Sequence, residues 1–188
     1  MTVSPVKFSQ ALFAEMAPDA ILCADTGANL TWVMQSAAVK KGQRIISAWG
    51  NSPMGYALPA AIGAKLACPE RQVVATIGDG GMQMTIRELQ TIVGNNIDVK
   101  IFVFNNRSLG NIAIGSEAEF GRQHGINENT GYTAPDFVAV AQAYGVWACR
   151  MVNEDRMGDM VRTLLGLPHA ALCELDVDPA ETHTEARV

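Results

Sequence analysis

Charge is scarce in this chain. Asp, Glu, Lys and Arg make up 18% of its 188 residues, against about a quarter in an average soluble domain. With 48% hydrophobic residues, a disordered, self-repelling chain is excluded. No basic run exceeds Lys40-Lys41, and 19 acids against 14 bases leave a net charge of −5, which argues against a nucleic-acid or anionic-membrane surface. No window approaches the ~20 uninterrupted apolar residues that span a bilayer. The opening Met1-Thr2-Val3-Ser4-Pro5 lacks the basic and apolar segments of a secretory leader. Cys23, Cys68, Cys149 and Cys173 have no C-x-x-C spacing and sit in apolar stretches, so they are expected to be buried reduced thiols in a cytoplasmic setting. His124, His169 and His183 have no zinc spacing with one another or with the cysteines. The shortage of charge also implies that part of the surface is not meant for water.

What the chain does have is alternation. A length of 188 residues is that of one domain. Ser4-Pro5 reads as a helix cap followed by a first-turn proline, opening a helix to about residue 16. Apolar runs at 20–24, 44–47, 72–77, 99–104, 146–151 and 170–177 read as strands. Between them lie helical patterns at 30–39, 55–67 (with an internal Pro59), 83–93, 135–144 and 154–165. Six strands separated by helices predict a three-layer, doubly wound α/β fold with a mainly parallel six-stranded sheet. Residues 107–133 show no period and are expected to form one long loop, a lid over the site. The tail, residues 179–188, is expected to fray.

In such sheets ligands bind at the carboxyl ends of strands. The strand at 72–77 runs into Gly78-Asp79-Gly80-Gly81, and the strand at 99–104 runs into Asn105-Asn106. The 24 residues between Gly80 and Asn105 suffice for one crossover helix and the second strand, which brings Asp79 and Asn106 together. A carboxylate and an amide oxygen, with glycines that let a ligand approach the backbone, suit Mg²⁺, whose remaining coordination is normally filled by phosphate oxygens and water. The dinucleotide fingerprint fails because position 83 is Gln83, and no nucleotide P-loop is present.

Gly78-Asp79-Gly80, the 24-residue interval and Asn105-Asn106 resemble the signature of thiamine-diphosphate (ThDP) enzymes. The likeness extends through Asn51-Ser52-Pro53-Met54-Gly55-Tyr56, Gly81-Met82-Gln83-Met84 and Pro135-Asp136-Phe137-Val138 to nearly the whole chain. It points to the carboxyl-terminal, cofactor-binding domain of the acetolactate synthase-like family. The resemblance implies that Asp79 and Asn106 hold Mg²⁺ through side chains, and Ser108 through its main-chain carbonyl. Gly27, Ala28 and Asn29 match the loop that meets the diphosphate, with Gly78, Gly80, Gly81, Leu109 and Gly110 completing the cofactor contacts. Met54 matches the large apolar residue that bends ThDP into a V, a polarizable wedge between its two rings; a plain core methionine is the competing reading.

The same resemblance implies something missing. The family's activating glutamate belongs to a pyrimidine-binding domain for which 188 residues leave no room, so it is expected on a separate partner subunit in a hetero-oligomer. Glu88, on the crossover helix, reads as a helix-stabilising charge. Acetohydroxyacid synthases carry a tryptophan nine residues after the second asparagine of the motif, where this chain has Gly115. That departure weighs against branched-chain amino-acid biosynthesis and leaves room for a larger acceptor or a different 2-oxo acid. The expected activity, from the resemblance as a whole, is acetolactate synthase-like carboligation of a small 2-oxo acid. Simple decarboxylation, of the sulfopyruvate or phosphonopyruvate type, and a non-catalytic ThDP-binding regulatory module are the alternatives. Arg107, Arg122 and His124 are candidates to meet a substrate carboxylate, weighed against plain solvated-loop roles.

Overall fold

The computed structural model describes residues 2–181. Two strands anchor it, β3 (Val73–Gly78) and β4 (Lys100–Asn105). Both are rich in β-branched or aromatic residues and buried on both faces, as central parallel strands require. Around them lie β1 (Ile21–Ala24), β2 (Arg44–Ile46), β5 (Trp147–Met151) and β6 (Ala171–Asp176). The order is β2-β1-β3-β4-β6-β5, and every pairing is parallel.

The period of two along each strand sorts side chains into two cores. On one face Val74, Phe102 and Phe104 pack under α1 (Pro5–Glu15), α2 (Ala28–Gln35) and α8 (Met157–Leu165). Phe8 sits 5.1 Å from Phe102 and 5.5 Å from Phe104 between ring centroids. On the other, Ala75, Ile77, Ile101 and Val103 meet α3 (Ala57–Ala67), α5 (Glu88–Gly94) and α7 (Phe137–Ala143). Ser4 caps α1 and Pro5 occupies its first turn, as the sequence predicts. Pro59 is tolerated because α3 begins at Ala57, which leaves Pro59 in the first turn, where a missing N–H has no intrahelical partner to lose.

Three expectations need correction. Residues 107–133 are not one loop: Gly110–Phe120 form a helix, α6. None of its residues is buried, and Ile112, Ile114 and Phe120 are exposed, so the core imprints no apolar stripe on it. The single helix expected at 83–93 is two, α4 (Asp79–Thr85) and α5, and α4 starts directly at the end of β3. Only Cys23 and Cys173 are buried; Cys68 and Cys149 are half-buried, and all four are free. Of the tail expected to fray, residues 179–181 are described and 182–188 lie outside the described residues. No helix among the described residues is long and apolar enough to cross a membrane.

Candidate cofactor-binding site

The pairing register levels three strand ends: Ala24 of β1 lies opposite Thr76, and Gly78 of β3 opposite Phe104. The segments leaving those ends, together with the loop before α3, enclose a cavity of about 260 Å³. Every residue expected to meet the cofactor or its metal lines it: Gly27, Ala28, Asn29, Met54, Gly78, Asp79, Gly80, Gly81, Asn106, Ser108, Leu109 and Gly110.

Each segment reaches the cavity for a local reason. Gly27 takes φ +87 and caps α2 with no side chain, so the first amides of α2, from Ala28 and Asn29, have no intrahelical acceptor. Asp79 is the first residue of α4, with Gly78 as its extended cap; the Gly-Asp-Gly triplet is thus a strand-to-helix junction and not a free turn. Asn106 follows β4 into a turn where Arg107 takes φ +53. That conformation is held by Asn105 Oδ1, which accepts from Arg107 N at 3.1 Å, while Glu174 Oε1 accepts from Asn105 Nδ2 at 2.7 Å. Leu109 N donates to Ile126 O at 2.9 Å, and Ser108 bridges to Asn127.

The approach around Gly80 is close. A Cβ there would lie 2.6 Å from Leu109 Cδ2 and 2.7 Å from Met54 Cε, so these two side chains converge over a glycine that leaves them room. A Cβ on Gly110 would stand 3.3 Å from Asn106 Nδ2 and 3.6 Å from Ala28 Cβ, tying the start of α6 to the β4 turn and to α2.

Polar satisfaction picks out the same place. Among the described residues, four buried side-chain polar atoms lack a hydrogen-bond partner, and two of them, Asp79 Oδ2 and Asn29 Oδ1, belong to this cavity. Orphaned buried oxygens are rare because each costs ~1–3 kcal/mol. Asp79 Oδ1 accepts from Gly80 N at 2.9 Å. Burial pushes the Asp79 carboxyl up to about 6, against the pull of the Gly80 amide and the Tyr132 phenol. Burial, reinforced by the facing Asp79, pushes that phenol above the usual tyrosine range.

Asp79 is the one ionisable side chain among the described residues lining the cavity. Nowhere among the described residues do three His, Cys, Asp or Glu side chains converge. A cation held here would therefore have to rely on one carboxylate, neutral oxygens and its ligand.

Other candidates lie elsewhere. Arg107 turns away from the cavity, its guanidinium 2.5 Å from Asp176 Oδ1 and 3.2 Å from Val177 O. Arg122 and His124 are exposed and outside the lining. Glu88 accepts from Thr91 Oγ1 at 2.8 Å and faces Arg87, the helix-stabilising role expected of it. Gly115 lies exposed on α6 with open space where a side chain would project. Two residues escaped notice in the sequence. Tyr132, whose hydroxyl accepts from Gln83 Nε2 at 3.0 Å, lies in a stretch without period. Asp25 looks like any acid ending a strand.

Fold and site together define an α/β cofactor-binding domain that takes its ligand at the carboxyl ends of parallel strands. Residues 25–175 match the family "Thiamine pyrophosphate enzyme, C-terminal TPP binding domain", thiamine pyrophosphate being the other name of ThDP. The chain belongs to that family. It is 34% identical over 146 residues to the acetolactate synthase large subunit of Lactococcus lactis subsp. lactis, covering 78% of this chain and 25% of that one. It is also 34% identical over 162 residues to a probable acetolactate synthase large subunit of Methanocaldococcus jannaschii, covering 86% and 27%. The chain thus spans about a quarter of the length of these curated relatives. Among solved structures, the thiamine diphosphate-dependent 4-hydroxybenzoylformate decarboxylase of Rhodococcus jostii RHA1 superposes with a TM-score of 0.85 at 24% identity, over 96% of this chain and 34% of that one. The doubly wound parallel fold is therefore that of a ThDP-binding domain of the acetolactate synthase-like kind.

Proposed function

We propose that the chain is the ThDP- and Mg²⁺-binding part of an enzyme that decarboxylates a small 2-oxo acid and joins the remaining fragment to a second carbonyl compound, as in acetolactate synthesis. The observation that carries this reading is the buried, unpartnered Asp79 Oδ2 in a cavity where Met54 and Leu109 converge over Gly80. The donor set fits the metal: the Asp79 carboxylate, the Asn106 amide oxygen and the Ser108 main-chain carbonyl are hard oxygen ligands, leaving positions for diphosphate oxygens and water. The amides at Gly27, Ala28 and Asn29, with those of Gly80 and Gly81, would receive the diphosphate. When bound, ThDP supplies the nucleophilic carbon and the electron sink. Met54 would act as the wedge that sets the angle between the cofactor's two rings, and the apolar Leu109 and Ile112 would keep water from the reacting carbon.

No glutamate lines the cavity among the described residues. The activating glutamate would come from a pyrimidine-binding domain outside these 188 residues. The exposed Ile112, Ile114, Phe120 and Met84 supply apolar surface for such a cover. Calorimetric titration tests the core of the proposal: ThDP should bind in the presence of Mg²⁺, and Asp79→Ala should abolish that binding; unchanged binding would refute it. Reconstitution with a pyrimidine-domain chain, followed by product analysis on pyruvate, tests the rest. Acetolactate is the expected product. The open position at Gly115 favours simple decarboxylation as the second reading, and an aldehyde as sole product would establish it. A complex that binds ThDP yet consumes no 2-oxo acid would leave a non-catalytic module.

A further inference from the structure

Asp25 directly follows β1, is 1% exposed and makes no ion pair among the described residues. Its carboxylate is occupied by backbone. Oδ1 accepts from Thr26 N at 2.7 Å, and Gly55 N donates to Oδ1 at 3.1 Å and to Oδ2 at 2.9 Å. Gly81 packs so closely that a Cβ there would lie 2.5 Å from Oδ2. One carboxylate thereby joins the start of the Gly27 loop, the loop carrying Met54, and the first turn of α4.

That loop needs such a tether. Ser52 and Gly55, on either side of Met54, both take left-handed conformations, φ +45 and +85, and an isolated loop would not hold the first of these at a non-glycine residue. Methionine has three rotatable bonds, so Met54 Cε is placed over Gly80 only if its backbone is held. Burying a carboxylate is costly, and a neutral residue would fill the same space in the core.

We propose that Asp25 is a positioning residue that presets the Met54 loop for the cofactor before the cofactor arrives. This rests on the reading of Met54 as the ThDP wedge. Asparagine keeps the shape of Asp25 but turns an amide group toward amide donors. The test titrates ThDP, in Mg²⁺, into the whole chain as wild type, Asp25→Asn, Met54→Ala and the double variant. Each single change is expected to weaken binding about tenfold, the scale of one hydrogen bond or one buried contact. The double variant should bind within about twofold of Met54→Ala alone, because Asp25 acts through Met54.

Fully additive losses would overturn the proposal, since a general structural role does not depend on residue 54. If the wild type does not bind ThDP, or Met54→Ala binds as well as wild type, the cofactor reading itself falls, which is a different result. Should Asp25→Asn not fold, hydrogen exchange on the wild-type chain without cofactor decides. A Gly55 amide protected at least about a hundredfold supports a preset loop, and exchange within about tenfold of an unstructured peptide overturns it.

Discussion

Gly80 and Gly81 are adjacent in α4, yet replacing each with alanine should produce opposite outcomes. Neither requires a left-handed backbone, so alanine gains roughly 0.5–1 kcal/mol of helix propensity at both. At Gly80 the new Cβ meets only side-chain tips, Leu109 Cδ2 at 2.6 Å and Met54 Cε at 2.7 Å. Both can rotate toward the cavity at about 0.5–1.5 kcal/mol each. Stability should change by less than about 2 kcal/mol, while the displaced tips fill the cofactor's space and weaken ThDP binding at least about tenfold. At Gly81 the Cβ meets Asp25 Oδ2 at 2.5 Å, Ile77 Cγ1 at 3.1 Å and Asp25 Cγ at 3.2 Å, and that carboxylate is held by the backbone amides of Thr26 and Gly55. Overpacking of about 1–3 kcal/mol and disrupted hydrogen bonds of similar size should leave a net loss of roughly 2–4 kcal/mol. For a chain of this length that lowers the melting temperature by roughly 5–15 °C. Thermal unfolding and calorimetric ThDP titration of both variants measure the contrast. A Gly81→Ala protein melting within about 2 °C of wild type, or a Gly80→Ala protein with undiminished ThDP affinity, would refute the reasoning.

Three further outcomes are expected. Glu174→Ala should destabilise the chain by about 1–3 kcal/mol in chemical denaturation, because buried Asn105 loses its acceptor and the exposed Arg150 loses one of its two carboxylate partners, keeping Asp136. Glu174→Gln should recover part of that loss. Burial pushes the Asp25 carboxyl up to about 6, so the folded state binds this proton more tightly than the unfolded chain. The contribution is most favourable below the unfolded value near 4 and is lost as pH rises through 6. Between pH 4 and 7 the wild type should lose about 2 kcal/mol relative to Asp25→Asn, and parallel stability curves would contradict this. Phe8→Ala should cost about 3–5 kcal/mol in the same assay, since it leaves a cavity between Phe102 and Phe104.

Much of the site was legible because its residues are local signals on strongly patterned elements. The continuous apolar runs of β3 and β4 announce central parallel strands, and the residues immediately after them inherit a known position. Asp79, Asn106 and the glycines could be placed from that alone. Asp25 could not, since its partner Gly55 is thirty residues away and donates only a backbone amide, which leaves no trace in residue identity. α6 was missed for the opposite reason. Its helical period is visible only where a core selects one face, and none of its residues is buried. The break between α4 and α5, near Ile86 and Arg87, carries neither glycine nor proline to mark it. Arg107 misled as a substrate candidate because the Asp176 that holds it belongs to the last strand.

The three strand ends that build the cavity belong to β1, β3 and β4, neighbours in the sheet but separated in the chain by about 50 and then 25 residues. No part of the cavity is made by a local hairpin. Its closure therefore waits on the slow, long-range parallel pairings that form the sheet, and any opening of those pairings dissolves it. Cofactor affinity then reports the folded population of the whole sheet, and a cofactor bound there stabilises the entire domain according to its concentration over its dissociation constant. On the reading proposed above, the supply of ThDP would set how long this chain stays folded.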